Sequence, residues 1–196
     1  MPQVTAYKIK KQYALAFLDL NEAGNALLVA VILFVAGTLI GLANPSWSED
    51  LIAAMKGLAR HISGNGMVLI IILLFLRNGI SAAISVIAGP LLGIIPALGA
   101  VTNGLLLGAV LAHFTAPERM NAILLLVPHG LFELPAIFAA WGLGIWQGLW
   151  YFERDRRQTF RERRRKAFRI FFIIILPLLF IAATIEGISI SIMKMQ

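Results

Sequence analysis

The sequence predicts an all-α, polytopic membrane protein of about five transmembrane helices, and three observations carry that fold class. A mean hydropathy of +0.83 with only 14% charged residues leaves too little polar surface to clothe a soluble globule. Apolar runs of about 20 residues recur, the length a helix needs to cross a bilayer core. The net charge of +7 is concentrated in one short segment between two such runs, at Arg154, Arg156, Arg157, Arg161, Arg163, Arg164, Arg165, Lys166 and Arg169.

Taken in order, residues 25–42 form the first span, after a short, mildly amphipathic lead-in carrying Lys8, Lys10 and Lys11. That run is long and lacks a small-residue cleavage site after it, so no cleaved signal peptide is expected. "ANPSWSEDLIAAMKGLARHISGNG" then reads as a polar connection bounded by turn residues. The apolar text from Met67 to Phe114 is far too long for one crossing at ~1.5 Å per residue. Gly89, Pro90, Gly93 and Pro96 mark a turn, which divides it into spans at 67–88 and 96–114. A "TAPER" loop leads into a fourth span at 120–150, where Pro128, Gly130 and Pro135 predict a kinked or broken helix. The basic segment 151–169 follows, then a last span at 170–190. One transmembrane domain, 1–196, accounts for the whole chain.

Positive charge is retained in the cytoplasm. Five crossings put the N-terminus and 151–169 on that side and the C-terminus outside, whereas a re-entrant fourth segment would break the agreement. Arg163, Arg164, Arg165 and Lys166 are then expected to face anionic lipid headgroups, flanked by interfacial Trp150, Tyr151 and Phe168. A basic run placed between two spans is not a nucleic-acid patch. With no cysteine there are no disulfides and no thiolate metal sites. Small-xxx-small pairs at Gly37/Gly41, Gly89/Gly93, Gly104/Gly108 and Gly144/Gly148 predict close helix approach, within a compact bundle or in a homo-oligomer joined through glycine faces.

An ionisable side chain at the bilayer centre costs at least ~2.5–3.5 kcal/mol and marks a site that needs a partner. Counting along the spans brings Arg77, Asn78, Asn103 and His129 to the midplane, with Glu133 one turn further toward the cytoplasm. His129 and Glu133 are spaced i to i+4 and so share one helix face. Arg77 is the expected counter-charge for Glu133. Three uses of this cluster compete: a polar knot that fixes helix register, an ion or solute pathway, and a metal site on His129 and Glu133. A metal such as zinc asks for a third ligand. His113 and Glu186 fall near outer helix ends, too far from His129 on this count, so no resident metal or other cofactor is expected. Without a Ser-His-Asp set or a GxSxG elbow, enzymatic use of the pair is disfavoured.

The stretch "PHGLFELPAIFAAWGLG" closely resembles the signature of the stage II sporulation protein M family. That signature is a Pro-His-Gly, a Glu between aromatic or aliphatic residues, then Pro-Ala and a Gly-containing helix. The matching positions are Pro128, His129, Gly130, Phe132, Glu133, Pro135 and Ala136. "FLRNGISAAISVIAGPLLGIIPALGAVTNGLLLGAV" looks like the family's other block, with Asn103, Gly104 and Gly108 in place. Where the family usually has Asn-Asn this chain has Arg77-Asn78, a cation for a neutral amide, which argues against an ion-conducting role built on a neutral site. The resemblance implies a polytopic membrane protein. Its namesake is similar to a scaffold that works with membrane-anchored cell-wall hydrolases during forespore engulfment. The expected function is therefore a non-enzymatic scaffold or assembly factor for envelope partner proteins. A transporter or channel is the alternative, and a metal-dependent intramembrane enzyme comes third.

Overall fold

The computed structural model describes residues 2–44, 57, 65–153 and 158–193, with the backbone alone at 2–9, 116–119, 121–126 and 193. Most of the polar connection predicted between the first two spans lies outside the described residues. Every regular element among those described is helical: α1 (Pro2–Glu22), α2 (Gly24–Ala43), α3 (Met67–Ile87), α4 (Ile94–His113), α5 (Ala116–Leu149), α6 (Phe160–Ile170) and α7 (Leu176–Met193). A 3-10 turn (Trp150–Phe152) follows α5, and a π-helical turn (Phe171–Ile175) fuses α6 to α7.

Among the described residues, four helical stretches are long and apolar enough to cross a membrane: Gly24–Ala43, Met67–Ile87, Ile94–His113 and Phe160–Ile192. They correspond to the first, second, third and last spans expected from the sequence. The expected fourth, α5, is a 34-residue helix that carries His129, Glu133 and Gln147. It can afford them because it is the hub of the bundle, packing on α2, α3, α4, α6 and α7. All its residues from Trp141 to Gly148 are buried. Large apolar side chains point outward on the other helices and on the first half of α5, among them Ile32, Leu39, Val68, Ile80, Leu98, Leu131 and Phe180. A band of this kind needs a covering of lipid or of another polypeptide.

Several local expectations are corrected. "TAPER" is not a loop, since α5 begins at Ala116. Pro117 lies in the first turn, where its missing N–H is an orphan in any case. Nor is α5 broken into half-helices: it runs as one element through Pro128 and Pro135. Each proline costs a backbone hydrogen bond, and packing on several neighbours holds the helix together. At the start of α7, Pro177 also lacks a donor, and the π turn just before it has Leu176 N–H bonding five residues back to Phe171 O.

The glycine pairs do not form faces for another copy, because neighbours within the chain occupy them. A Cβ on Gly37 or Gly41 would strike the carbonyl oxygens of Val101 and Leu105, and one on Gly104 or Gly108 those of Phe34 and Thr38. The α2–α4 seam is thus a contact of backbone on backbone. Gly144 and Gly148 of α5 nest against the turn between α3 and α4, meeting Ser85 O and the Gly93 backbone. In that turn Gly93 has φ +70°, a left-handed conformation suited to glycine, and Leu92 also has a positive φ of 56°.

Candidate functional site

His129 and Glu133 occupy one face of α5, as their spacing requires. From α3, which places Asn78 eleven residues after Met67 in a 21-residue helix, the Asn78 amide reaches across to this face. Asn78 Nδ2 donates to Glu133 Oε1 at 2.9 Å. The third contributor is α7. Its Glu186 brings a carboxylate oxygen into a group with His129 and Glu133, whose ligand atoms all lie within 4.8 Å of one another. All three residues are half-buried. Three helices distant in sequence therefore meet at one polar centre, in which Glu186 repels the Glu133 carboxylate and Arg77 attracts it.

This centre differs from the one expected. A last span ending at 190 leaves Glu186 near its outer end, but α7 continues to Met193 and leaves Glu186 two turns inside. Arg77 is not the ion-pair partner of Glu133. It is exposed on the outer face of α3 and makes no ion pair among the described residues, acting on Glu133 only over a longer range. Asn103 does not join either: its side chain is exposed and folds back onto its own helix, donating to Gly99 O at 2.8 Å. His113, at the end of α4, is exposed. Pro128, exposed, and Gly130, half-buried, flank His129, while Pro135 lies two residues beyond Glu133 on the exposed side.

A second polar assembly lies where α6 meets α1 and the end of α5, and it overturns part of the lipid-facing assignment. Arg163 is 5% exposed. Its guanidinium donates to Trp146 O at 2.8 Å, grips both oxygens of Glu153 at 2.9 and 2.8 Å, and lies 4.5 Å from the centre of the Trp146 ring. Lys166 also turns inward, bonding Glu22 of α1 at 2.6 and 2.7 Å, while Arg169 pairs with buried Asp19 at 3.1 Å. The reason is local. Thr159 and Glu162 close a capping box that starts α6, and the helical repeat then puts 163, 166, 167 and 170 on the inner face. Arg164 covers the Phe168 ring at 5.5 Å, and only Arg161 and Arg165 of the α6 cations are exposed. Partial burial pushes the Glu22 carboxyl up, but hydrogen bonds from Gln158 and Lys166 and the charges of Lys166 and Arg163 outweigh it, holding Glu22 below the usual carboxylate range.

Sequence reasoning missed Gln147, which is fully buried and donates from Nε2 to Val86 O at 2.9 Å, tying α5 to the end of α3. Its polarity within an apolar run was the available signal. Asp19, Glu22 and Glu153 were missed too, as acids whose pairing with the basic run depends on tertiary proximity.

Comparison with known proteins supplies the identity. Searches of curated proteins and of solved structures return no match. A family model does match, over residues 25–189, and its description is stage II sporulation protein M. That match takes in all of α3 to α6 and Asn78, His129, Glu133 and Glu186 of the polar centre, so the chain belongs to the stage II sporulation protein M family.

Proposed function

We propose that this protein is a non-enzymatic membrane scaffold, which assembles with further copies of itself or with other envelope proteins inside the bilayer. The observation that carries this reading is Arg77. A cation near the middle of an apolar span is expensive unless it finds a counter-charge, at least ~2.5–3.5 kcal/mol. Yet Arg77 faces outward, has no ion pair among the described residues, and stands among exposed Leu76 and Ile80. A neighbouring polypeptide that supplies an acceptor on this face removes the cost. Exposed Asn103 on α4 is a further polar group with capacity to spare. The N-terminus and the 151–169 segment lie in the cytoplasm in this reading, where Arg161 and Arg165 meet anionic headgroups.

The test is the mass of the assembly. Wild-type protein in nanodiscs or mild detergent is expected to run as a multimer by light scattering, and a photo-crosslinker at Ile80 should capture a second polypeptide in native membranes. Arg77→Leu should weaken association at least about tenfold, the equivalent of ~1.4 kcal/mol. Arg77→Lys, which keeps the charge, should retain part of it. A wild-type protein of single-chain mass whose Ile80 crosslinks only to lipid would overturn the reading.

A further inference from the structure

The polar centre raises a question of charge that scaffolding does not answer. Glu133 and Glu186 put two carboxylates within 4.8 Å of each other and of His129, on helices packed together inside a membrane bundle. Arg77 does not close on them, because its side chain faces outward. Asn78 can donate a hydrogen bond but carries no charge. Two carboxylates gathered in a half-buried site repel one another unless one takes up a proton or a cation sits between them, and none of the described side chains that touch the pair is a fixed cation.

The composition of the cluster points to a cation. One imidazole and two carboxylates form a nitrogen and oxygen ligand set from three residues, the number that zinc centres with an open position take from the protein. Ligand atoms ~2.0–2.2 Å from a tetrahedral ion lie ~3.4 Å apart, so a pair separated by 4.8 Å closes by at most ~1.4 Å, within reach of a side-chain rotation. Asn78 supplies the outer support such sites use, holding one oxygen of Glu133 at 2.9 Å and so fixing the direction of its carboxylate. Gly187, adjacent to Glu186, is buried against Ile71 so tightly that a side chain there would collide with it, which anchors α7 to α3 beside the ligand. A divalent ion with two carboxylates and a neutral imidazole gives a centre of zero net charge, the form that is least costly in a bilayer.

We infer that His129, Glu133 and Glu186 bind one divalent transition-metal ion, zinc foremost, with Asn78 orienting Glu133 and the remaining coordination position left to water or an added ligand. The ion joins α5 to α7, the hub of the bundle to its last helix. This goes beyond the scaffold reading and does not depend on it.

The test uses the full-length protein, free of any histidine tag, stripped with chelator, reloaded with zinc, desalted and analysed for metal. The wild type should retain close to one zinc per chain. His129→Ala and Glu186→Gln should each retain less than a tenth of that, while His113→Ala, altered at an exposed histidine away from the cluster, should match the wild type. Zinc kept in full by folded His129→Ala or Glu186→Gln overturns the inference, and so does a folded wild type that takes up none. If the ligand variants fail to fold, cobalt loading of the wild type decides the matter: visible d–d bands of a low-coordinate site support the centre, and the spectrum of the aquo ion refutes it. Failures of the two proposals are separable. A metal-free multimer overturns only this inference, whereas a metal-bearing monomer overturns only the assembly.

Discussion

Arg163 shows how much one residue can carry when its charge is turned inward. Its guanidinium serves a backbone carbonyl, a carboxylate and an aromatic face together, through contacts to Trp146 and Glu153. A planar fork can meet that geometry and a lysine ammonium cannot. Removing one partner of a buried pair costs ~3–5 kcal/mol. Glu153 is 38% exposed and can fall back on water, which places Arg163→Ala near the low end, at about 3 kcal/mol. Arg163→Lys should recover less than half of the loss. Thermal unfolding of the two variants in detergent checks this, and a lysine variant as stable as wild type would show that charge alone is what the site uses. The sequence placed Arg163 in a uniform basic cluster because composition cannot tell one face of α6 from the other. The Thr159–Glu162 capping box could have set the helical phase, since it fixes where α6 starts.

At the scale of the helix pair, α2 and α4 meet through glycines that leave no room for a methyl group. Gly104→Ala would drive a Cβ into the carbonyl of Phe34, which is backbone and cannot rotate aside. Overpacking of this kind costs roughly 1–3 kcal/mol. Gly130→Ala provides the opposite sign. Its Cβ would meet only the end of Leu134 at 4.0 Å, so the substitution should be neutral or gain up to ~1 kcal/mol from helix propensity. Comparing the two unfolding midpoints tests the seam, and equal behaviour would mean that the α2–α4 packing is looser than drawn. The elements themselves were legible, because hydropathy and length are local properties: α2, α3 and α4 fall within two residues of the expected spans. What each glycine pair touches was not, since spacing reveals a small surface without naming its neighbour. Glu186 failed for a related reason. Its depth was measured from an assumed helix end, and three more residues of α7 altered the answer.

For the molecule as a whole, the number of crossings turns on α5. Among the described residues four stretches qualify as spans on length and apolarity, and α5, described by its backbone alone at 116–119 and 121–126, is not among them. Its 34 residues amount to ~51 Å of helix, well beyond a ~30 Å core, and among its described side chains Gln147 is fully buried and Glu133 meets Asn78 of α3. Its second half is buried among five other helices and its first half exposes Val127, Leu131 and Leu134 as the other spans do, so α5 should be the fifth crossing. The consequence is a difference in side. Gly66, exposed just before α3, and Arg165, exposed on α6, are separated by α3, α4 and α5. Three crossings put them on opposite faces of the membrane, and two put them on the same face. Because the chain has no cysteine, Gly66→Cys and Arg165→Cys each report one position cleanly. In intact cells an impermeant thiol reagent should label Gly66→Cys and spare Arg165→Cys until the membrane is permeabilised. Labelling of Arg165→Cys alone would invert the orientation and leave five crossings standing. Equal labelling, or equal protection, would mean that α5 enters and leaves by one face, which would put His129 and Glu133 on a re-entrant segment instead of a spanning one.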